Sequence, residues 1–243
     1  MIAVLSGIGW VTPFSIGHGR DYKALINPDG KLPALKRKDV FEEPDSHFGR
    51  MDEYSKLGLA AIAFALKDAD LHRWKVKRPV GIIASTVYGC LKTDIDYLNT
   101  MIPEGGLFAS PNLFAYTLPN TFLGEASIRF GLSGMSFVVS EQSSLKLTPV
   151  SMALESVASG DMETMLAGIC DLECPLQHKL IDQAVPGALF FVIEKNPRST
   201  IPAYGKFDLG RMSEVVFRGV EVQDLTQLVH ACLADHHHER LLI

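Results

Sequence analysis

Four cysteines, eight histidines and two glycine-rich turns are the places where this 243-residue chain has residue types suited to chemistry. Cys170, Cys174 and His178 recur at i, i+4 and i+8, a spacing that would bring three metal ligands to one helix face. Pro175 interrupts any such helix, and structural zinc sites use four ligands in paired clusters, so no metal is assigned. His236, His237 and His238 read as a solvated helix terminus rather than a metal site. Gly7 and Gly9 lack the third glycine of a dinucleotide fingerprint, so neither a phosphate-binding turn nor a cofactor is expected. Cys90 follows an apolar run, where a free thiol more often fills space than reacts. The four cysteines are sparse and irregularly spaced, which argues for reduced thiols over a disulfide framework.

Composition narrows the function classes. A hydrophobic fraction of 47% with 21% charged residues suits a globular protein of one large or two small domains. A formal net charge of -5 provides no field for phosphate backbones, and Lys36, Arg37 and Lys38 read as the only compact basic run, so nucleic-acid binding is disfavoured. The apolar start at Ile2–Leu5 is broken by Gly7, Gly9 and Pro13, and no basic residue precedes it. It fits neither a signal nor a membrane segment, so a cytoplasmic protein with no membrane partner is expected.

Five apolar runs rich in β-branched residues have the composition of buried strands: Ile2–Ile8, Val80–Ala84, Phe137–Val139, Met165–Ala167 and Ala188–Ile193. Between them, Tyr54, Leu57, Ala61, Phe64 and Ala65 share one helical face before Asp68, and Val150, Ala153, Leu154 and Val157 share another before Gly160. Strands alternating with helices predict an α/β layered domain. Residues 19–52 read as a loop or cap region, and Pro197, Pro202, Gly205 and Gly210 mark a linker. Beyond it, Leu225, Leu228, Val229 and Leu233 predict one amphipathic helix.

Several motifs, in order, resemble the β-ketoacyl-acyl-carrier-protein synthases of the thiolase-like fold. Val4-Leu5-Ser6-Gly7-Ile8-Gly9-Trp10-Val11-Thr12-Pro13 resembles their first strand and turn. Phe48-Gly49-Arg50-Met51-Asp52 precedes an alanine-rich helix, and Val80-Gly81-Ile82-Ile83-Ala84-Ser85-Thr86 with Gly89 resembles the second strand and its turn. The most specific block runs from Tyr116-Thr117-Leu118-Pro119-Asn120 through Gly131-Leu132-Ser133-Gly134 to Ser159-Gly160-Asp161 and Leu166-Ala167-Gly168, and Pro186 to Glu194 looks like the last strand of the amino-terminal lobe. The resemblance covers residues 1–194 and implies one lobe of the layered fold, a central mixed sheet flanked by helices, followed by a linker and short helical tail over residues 195–243.

In that family the amino-terminal lobe supplies a nucleophilic cysteine at a strand-to-helix turn, and the carboxy-terminal lobe supplies two histidines and a lysine. A thiolate attacks an acyl thioester because its environment lowers the thiol's pKa at a helix amino-terminus. Ungapped counting from Gly134 to Gly160 puts Ser143 at the nucleophile position, and a one-residue gap puts Gln142 there. Either alignment removes the thiol, and the glutamine version resembles the chain-length factors of some polyketide synthases. Leu145 and Lys146 replace small residues that follow the nucleophile in the family. A serine would need an adjacent base, and His178 and His230 lie far downstream. Thr148 and Pro149 make a good cap and first-turn pair that would start the helix well after Ser143; alternatively Ser143 or Ser144 caps it.

The expectation is therefore a catalytically silent half-synthase that binds a partner in fatty-acid-like or polyketide-like biosynthesis. A split condensing enzyme with its second lobe on another chain, or a purely structural interaction protein, are the alternatives. The resemblance implies a dimer, with itself or with a full-length synthase, built on the Phe137–Val139 strand and the helix over Thr121–Phe130. An acyl carrier protein is a further partner, which Lys36–Lys38 would meet if they are not simply a solvated loop.

Overall fold

The apolar runs read from the sequence form five adjacent strands of one mixed sheet in the computed structural model, which describes residues 2–20, 25–26, 30–176, 184–197, 201–210 and 213–234. In chain order the elements are β1 (Ala3–Val11), β2 (Ser15–His18), β3 (Leu25–Ile26), α1 (Arg37–Val40), α2 (Glu53–Asp68), β4 (Val80–Thr86), α3 (Leu91–Met101), α4 (Pro111–Phe114) and α5 (Thr121–Phe130). They continue with β5 (Ser136–Ser140), α6 (Thr148–Ser159), β6 (Thr164–Asp171), β7 (Gly187–Glu194), β8 (Gly205–Leu209), β9 (Val215–Phe217), β10 (Val220–Glu221) and α7 (Leu225–Leu233). The strand order is β10-β9-β8-β1-β7-β6-β4-β5, with β2 and β3 branching from β1. β4 runs parallel to both β5 and β6, whereas β7 is antiparallel to β6 and β1.

Near-continuous apolarity in the central strands follows from burial on both faces. Ile82, Ala84, Leu166, Cys170, Phe190 and Val192 join the core shared with α2 and α5. Their neighbours Ile83, Met165, Ala167, Ile169, Leu189, Phe191 and Ile193 join the core shared with α6 and α7. The period-two alternation of a strand divides one apolar run between two layers.

α2 starts at Asp52, whose side chain accepts from the Ser55 N–H at 2.9 Å. Its alanines let it lie directly on β1, and a side chain at Gly7 or Gly9 would collide with the backbone around Ala65. That close approach, rather than any ligand, explains both glycines. α6 ends at Gly160, whose φ of 87° is the left-handed cap that a glycine adopts without steric cost.

The carboxy-terminal segment holds more than the expected helix. β8 pairs antiparallel with β1 (Ala3 with Phe207, Leu5 with Gly205), and β9 and β10 extend that edge. α7 is capped by Asp224, which accepts from the Gln227 N–H at 2.9 Å, and it buries Leu225, Leu228, Val229 and Leu233 as its periodicity predicts. A second correction concerns charge: Arg73, Lys75, Lys77 and Arg78 place four cations within six residues, so Lys36–Lys38 is not the only basic run. Among the described residues, no helix is long and apolar enough to cross a membrane.

Candidate functional site

The turn from β5 to α6 is the strand-to-helix elbow that the sequence singles out. Gln142 and Lys146 are exposed there, whereas Ser143 and Ser144 are buried at 6% and 1% exposure. α6 begins at Thr148, with Leu147 at its cap position, no capping side chain, and Pro149 near its start where a missing N–H costs little. The expected cap assignment is therefore displaced by one residue, and neither Ser143 nor Ser144 caps the helix. The Thr148 side chain interacts instead with the Glu141 carboxylate and helps hold its pKa below the ordinary range. Helix-dipole stabilisation fades beyond the first turn, and Ser143 lies upstream of it.

Ser143 spends its hydroxyl locally, accepting from the Leu145 N–H at 3.2 Å. Ser144 is tied more deeply. It donates to Asp171 Oδ2 at 3.0 Å and accepts from the Val185 N–H at 3.3 Å. Asp171, fully buried at the end of β6, also accepts from Thr86 Oγ1 at 2.8 Å, the Val87 N–H at 2.8 Å and the Tyr88 N–H at 2.9 Å. One carboxylate thus gathers the ends of β4 and β6 and the elbow. Burial pushes its pKa up, and the donors from Tyr88, Thr86, Val87 and Ser144 offset only part of that rise.

Sequence reasoning missed Asp171. Its signal was an acidic residue closing an otherwise apolar strand, which demands hydrogen-bond donors from somewhere else in the chain.

The elbow is closed from the side by α7. The Leu225 N–H donates to the Leu145 carbonyl at 2.9 Å. Beside that contact, Thr12, Leu145, Ile169, Leu225, Val229 and His230 line a small apolar cavity of about 90 Å³. His230 Nε2 is buried there without a hydrogen-bond partner. Among the described residues no hydrogen bond joins His230 to Ser143, so the downstream imidazole comes near the elbow without activating its hydroxyl. His178 and His236–His238 lie outside the described residues.

The thiols are poor substitutes for a missing nucleophile. Burial, reinforced by Asp94, pushes Cys90 up to about 12. Cys170 is raised well above an ordinary thiol by burial and by Asp171, and its Sγ lies 3.7 Å from the Tyr54 carbonyl. Cys232 is likewise raised by burial. Cys170 belongs to β6 and Cys174 to the loop after it, so their spacing has no helix to act through.

The expected partner surface lies at one sheet edge. Among the described residues β5 pairs only with β4, which leaves its other side open, and Phe137, Val138 and Val139 are half-buried. Nearby on the chain, Ile128 of α5 is 77% exposed, and Phe114 and Leu118 are each 62% exposed.

Comparison with known proteins matches residues 34–185 to the amino-terminal domain of β-ketoacyl synthases. A Streptomyces virginiae protein provisionally named polyketide β-ketoacyl synthase 1 is 27% identical over 190 residues, 74% of this chain and 43% of the relative. A similarly named synthase 2 from Streptomyces halstedii is 23% identical over 233 residues, 84% of this chain and 55% of the relative. The chain thus spans about half the length of these relatives. Among solved structures, the ishigamide ketosynthase/chain length factor superposes with a TM-score of 0.65 at 15% identity, covering 84% of this chain and 62% of that one. A complex of the ketosynthase ApeO with its chain length factor ApeC from Xenorhabdus doucetiae gives a TM-score of 0.54 at 19% identity, with 80% of each chain covered. Identities this low establish a shared fold.

Proposed function

We infer that this chain, which belongs to the β-ketoacyl synthase family through its amino-terminal domain, is a catalytically silent, partner-binding subunit in fatty-acid-like or polyketide-like biosynthesis. The observation that carries this reading is the elbow: Ser143 is buried in a turn that ends before α6 begins, with its hydroxyl engaged by Leu145. Acyl transfer through a covalent intermediate needs a nucleophile activated by a base or a helix amino-terminus. Neither Ser143 nor the exposed Gln142 has one among the described residues.

The partner reading rests on the open edge of β5 and the exposed apolar residues near it. An uncovered strand edge pairs readily with another strand, and exposed apolar side chains such as Ile128 on α5 supply burial energy. The match to a ketosynthase in complex with its chain length factor supports a paired arrangement for this chain. The ketosynthase bound to a type II acyl carrier protein, matched with a TM-score of 0.60 at 20% identity, supports a carrier protein as a further contact. The four free cysteines suit a reducing compartment and so a cytoplasmic site of action.

Two measurements test the proposal. Light scattering across micromolar concentrations, with and without a co-expressed ketosynthase, is expected to give a dimer mass; a monomer under both conditions would overturn it. Incubation with acyl carrier protein thioesters, followed by intact-mass analysis, is expected to leave the chain unmodified. A stable acyl adduct on Ser143 would instead favour the split-enzyme alternative.

A further inference from the structure

The end of the sheet opposite the elbow carries a surface that the partner-binding reading leaves unused. The loop between α2 and β4 runs Arg73-Trp74-Lys75-Val76-Lys77, alternating three cations with two large apolar side chains. All five are exposed, Trp74 to 40% and Val76 to 77%. The loop is held firmly from behind. Arg78 donates to the carbonyls of Leu71 at 2.8 Å and Phe130 at 3.2 Å, and its N–H donates to Gly131 at 2.8 Å. The Trp74 indole lies against Gly131 and donates to the Arg129 carbonyl at 2.9 Å.

Arg73, Lys75 and Lys77 form no ion pair among the described residues. The carboxylates close by are few. Asp70 sits in the preceding turn, and Glu42 and Glu43 line the cleft that Arg73 and Trp74 share, with Glu43 3.6 Å from Arg129. Three cations interleaved with a tryptophan edge and a bare valine give a chain of net charge -5 a local surface that is both cationic and partly apolar, the chemistry that meets an anionic, partly apolar partner.

We propose that this loop is a peripheral contact with an anionic lipid surface. Arg73, Lys75 and Lys77 meet headgroup phosphates, while Val76 and the free edge of Trp74 enter the boundary between headgroups and acyl chains. Position favours a bilayer over an acidic carrier protein. The seven residues of β4 hold the loop roughly 20 Å from the elbow. A carrier docked on the loop would face away from Ser143, whereas a bilayer there leaves both the elbow and the β5 edge open to solution partners.

Each cation near an anionic surface contributes about fivefold in partitioning, so removing all three is expected to cost about 100-fold. The test is cosedimentation of the purified chain, alone or with its copurifying partner, with vesicles of phosphatidylcholine or of equimolar phosphatidylcholine and phosphatidylglycerol. The wild type is expected to sediment with the anionic vesicles only and to be released by high salt. The variant R73A/K75A/K77A is expected to lose about 100-fold in affinity, and Val76→Ser a smaller factor, with unchanged thermal melting. K36A/K38A, in the other basic run, is expected to bind as the wild type does. Because Trp10 is buried, a blue shift of tryptophan fluorescence on binding reports Trp74. Failure to bind anionic vesicles, equal binding to neutral ones, or full binding by the triple variant would each overturn the proposal. So would retention of an acidic protein through these three cations without vesicle binding.

Discussion

Asp68 and Asp171 are both enclosed carboxylates, yet the molecule handles them in opposite ways. Asp68, at the end of α2, accepts from the Ile8 N–H at 2.9 Å, the Arg20 N–H at 2.9 Å and the Tyr204 hydroxyl at 2.8 Å. His18 Nδ1 lies 3.0 Å away, and the Arg20 guanidinium, 3.1 Å away, stacks on the Tyr204 ring. Those partners come from β1, the end of β2 and the segment after it, and the approach to β8, so this carboxylate joins the ends of the fold around a cation. Asp171 has only neutral donors, from the end of β4 and from Ser144 at the elbow. One network locks the scaffold through a compensated charge. The other shapes a turn by accepting hydrogen bonds without compensating the charge, which leaves its carboxyl inclined to hold a proton.

The largest effect that separates the two is Asp68→Ala. Removing one partner of a buried pair strands the other and its companion donors, so unfolding in urea is expected to show a loss of about 4 kcal/mol. A loss below about 1 kcal/mol would mean that Arg20 and Tyr204 find water instead, and the contrast with Asp171 would vanish.

Asp171→Ala is expected to cost about 2–3 kcal/mol, because several buried donors lose their acceptor but no charge is stranded. Asp171→Asn keeps an acceptor for Thr86 and Tyr88 and imitates the protonated acid, so its cost is smaller, about 1 kcal/mol. The pH dependence has a definite sign. Because burial raises the folded pKa above the unfolded value, the native state holds the proton between the two. Asp171 therefore weakens the fold as pH rises through that window, and Asp171→Asn should remove that loss from the stability profile. A profile identical in wild type and variant would refute the account of Asp171. Tyr204→Phe removes one hydrogen bond to Asp68 and is expected to cost about 1 kcal/mol; burial, with Asp68 beside it, already keeps this phenol protonated at any ordinary pH.

How much of this could be read from residues alone depended on the range of the interaction. The central strands and α2 and α6 were legible because each carries its own periodicity, with glycine marking the end of α6, whereas α5 was placed through the family resemblance. β8 to β10 were not, since five residues such as Gly205–Leu209 between prolines and glycines look like a linker until β1 offers them an edge. The elbow's location between Gly134 and Gly160 was legible, but its chemistry was not. Asp171 meets Ser144 and Thr86 from 27 and 85 residues away, a relation that local spacing does not encode. Thr148 misled because α6 begins with it, which leaves Leu147 at the cap position. The basic loop escaped because Trp74 and Val76 break up its cations in a count of adjacent charges.

The smallest predicted effect is also the sharpest test, because it lies in the turn that Ser144 ties to Asp171 and has the opposite sign. Burial tends to raise Glu141, but hydrogen bonds from Thr148 and Lys146 outweigh it and hold the carboxyl below its ordinary range. Lys146 Nζ is 3.0 Å from Glu141 Oε2 and its side chain is 53% exposed, so solvent screens the pair. Lys146→Ala should therefore cost no more than about 0.5 kcal/mol. With a depressed folded pKa, Glu141 contributes stability above the ordinary carboxylate value and loses it as pH falls. Glu141→Gln should thus flatten the acid limb by removing stability gained as pH rises, whereas Asp171→Asn should steepen it by removing a penalty that grows as pH rises. If titration of both variants shifted the limb in the same direction, the two carboxyls would not differ as described, and the elbow would be governed by burial alone.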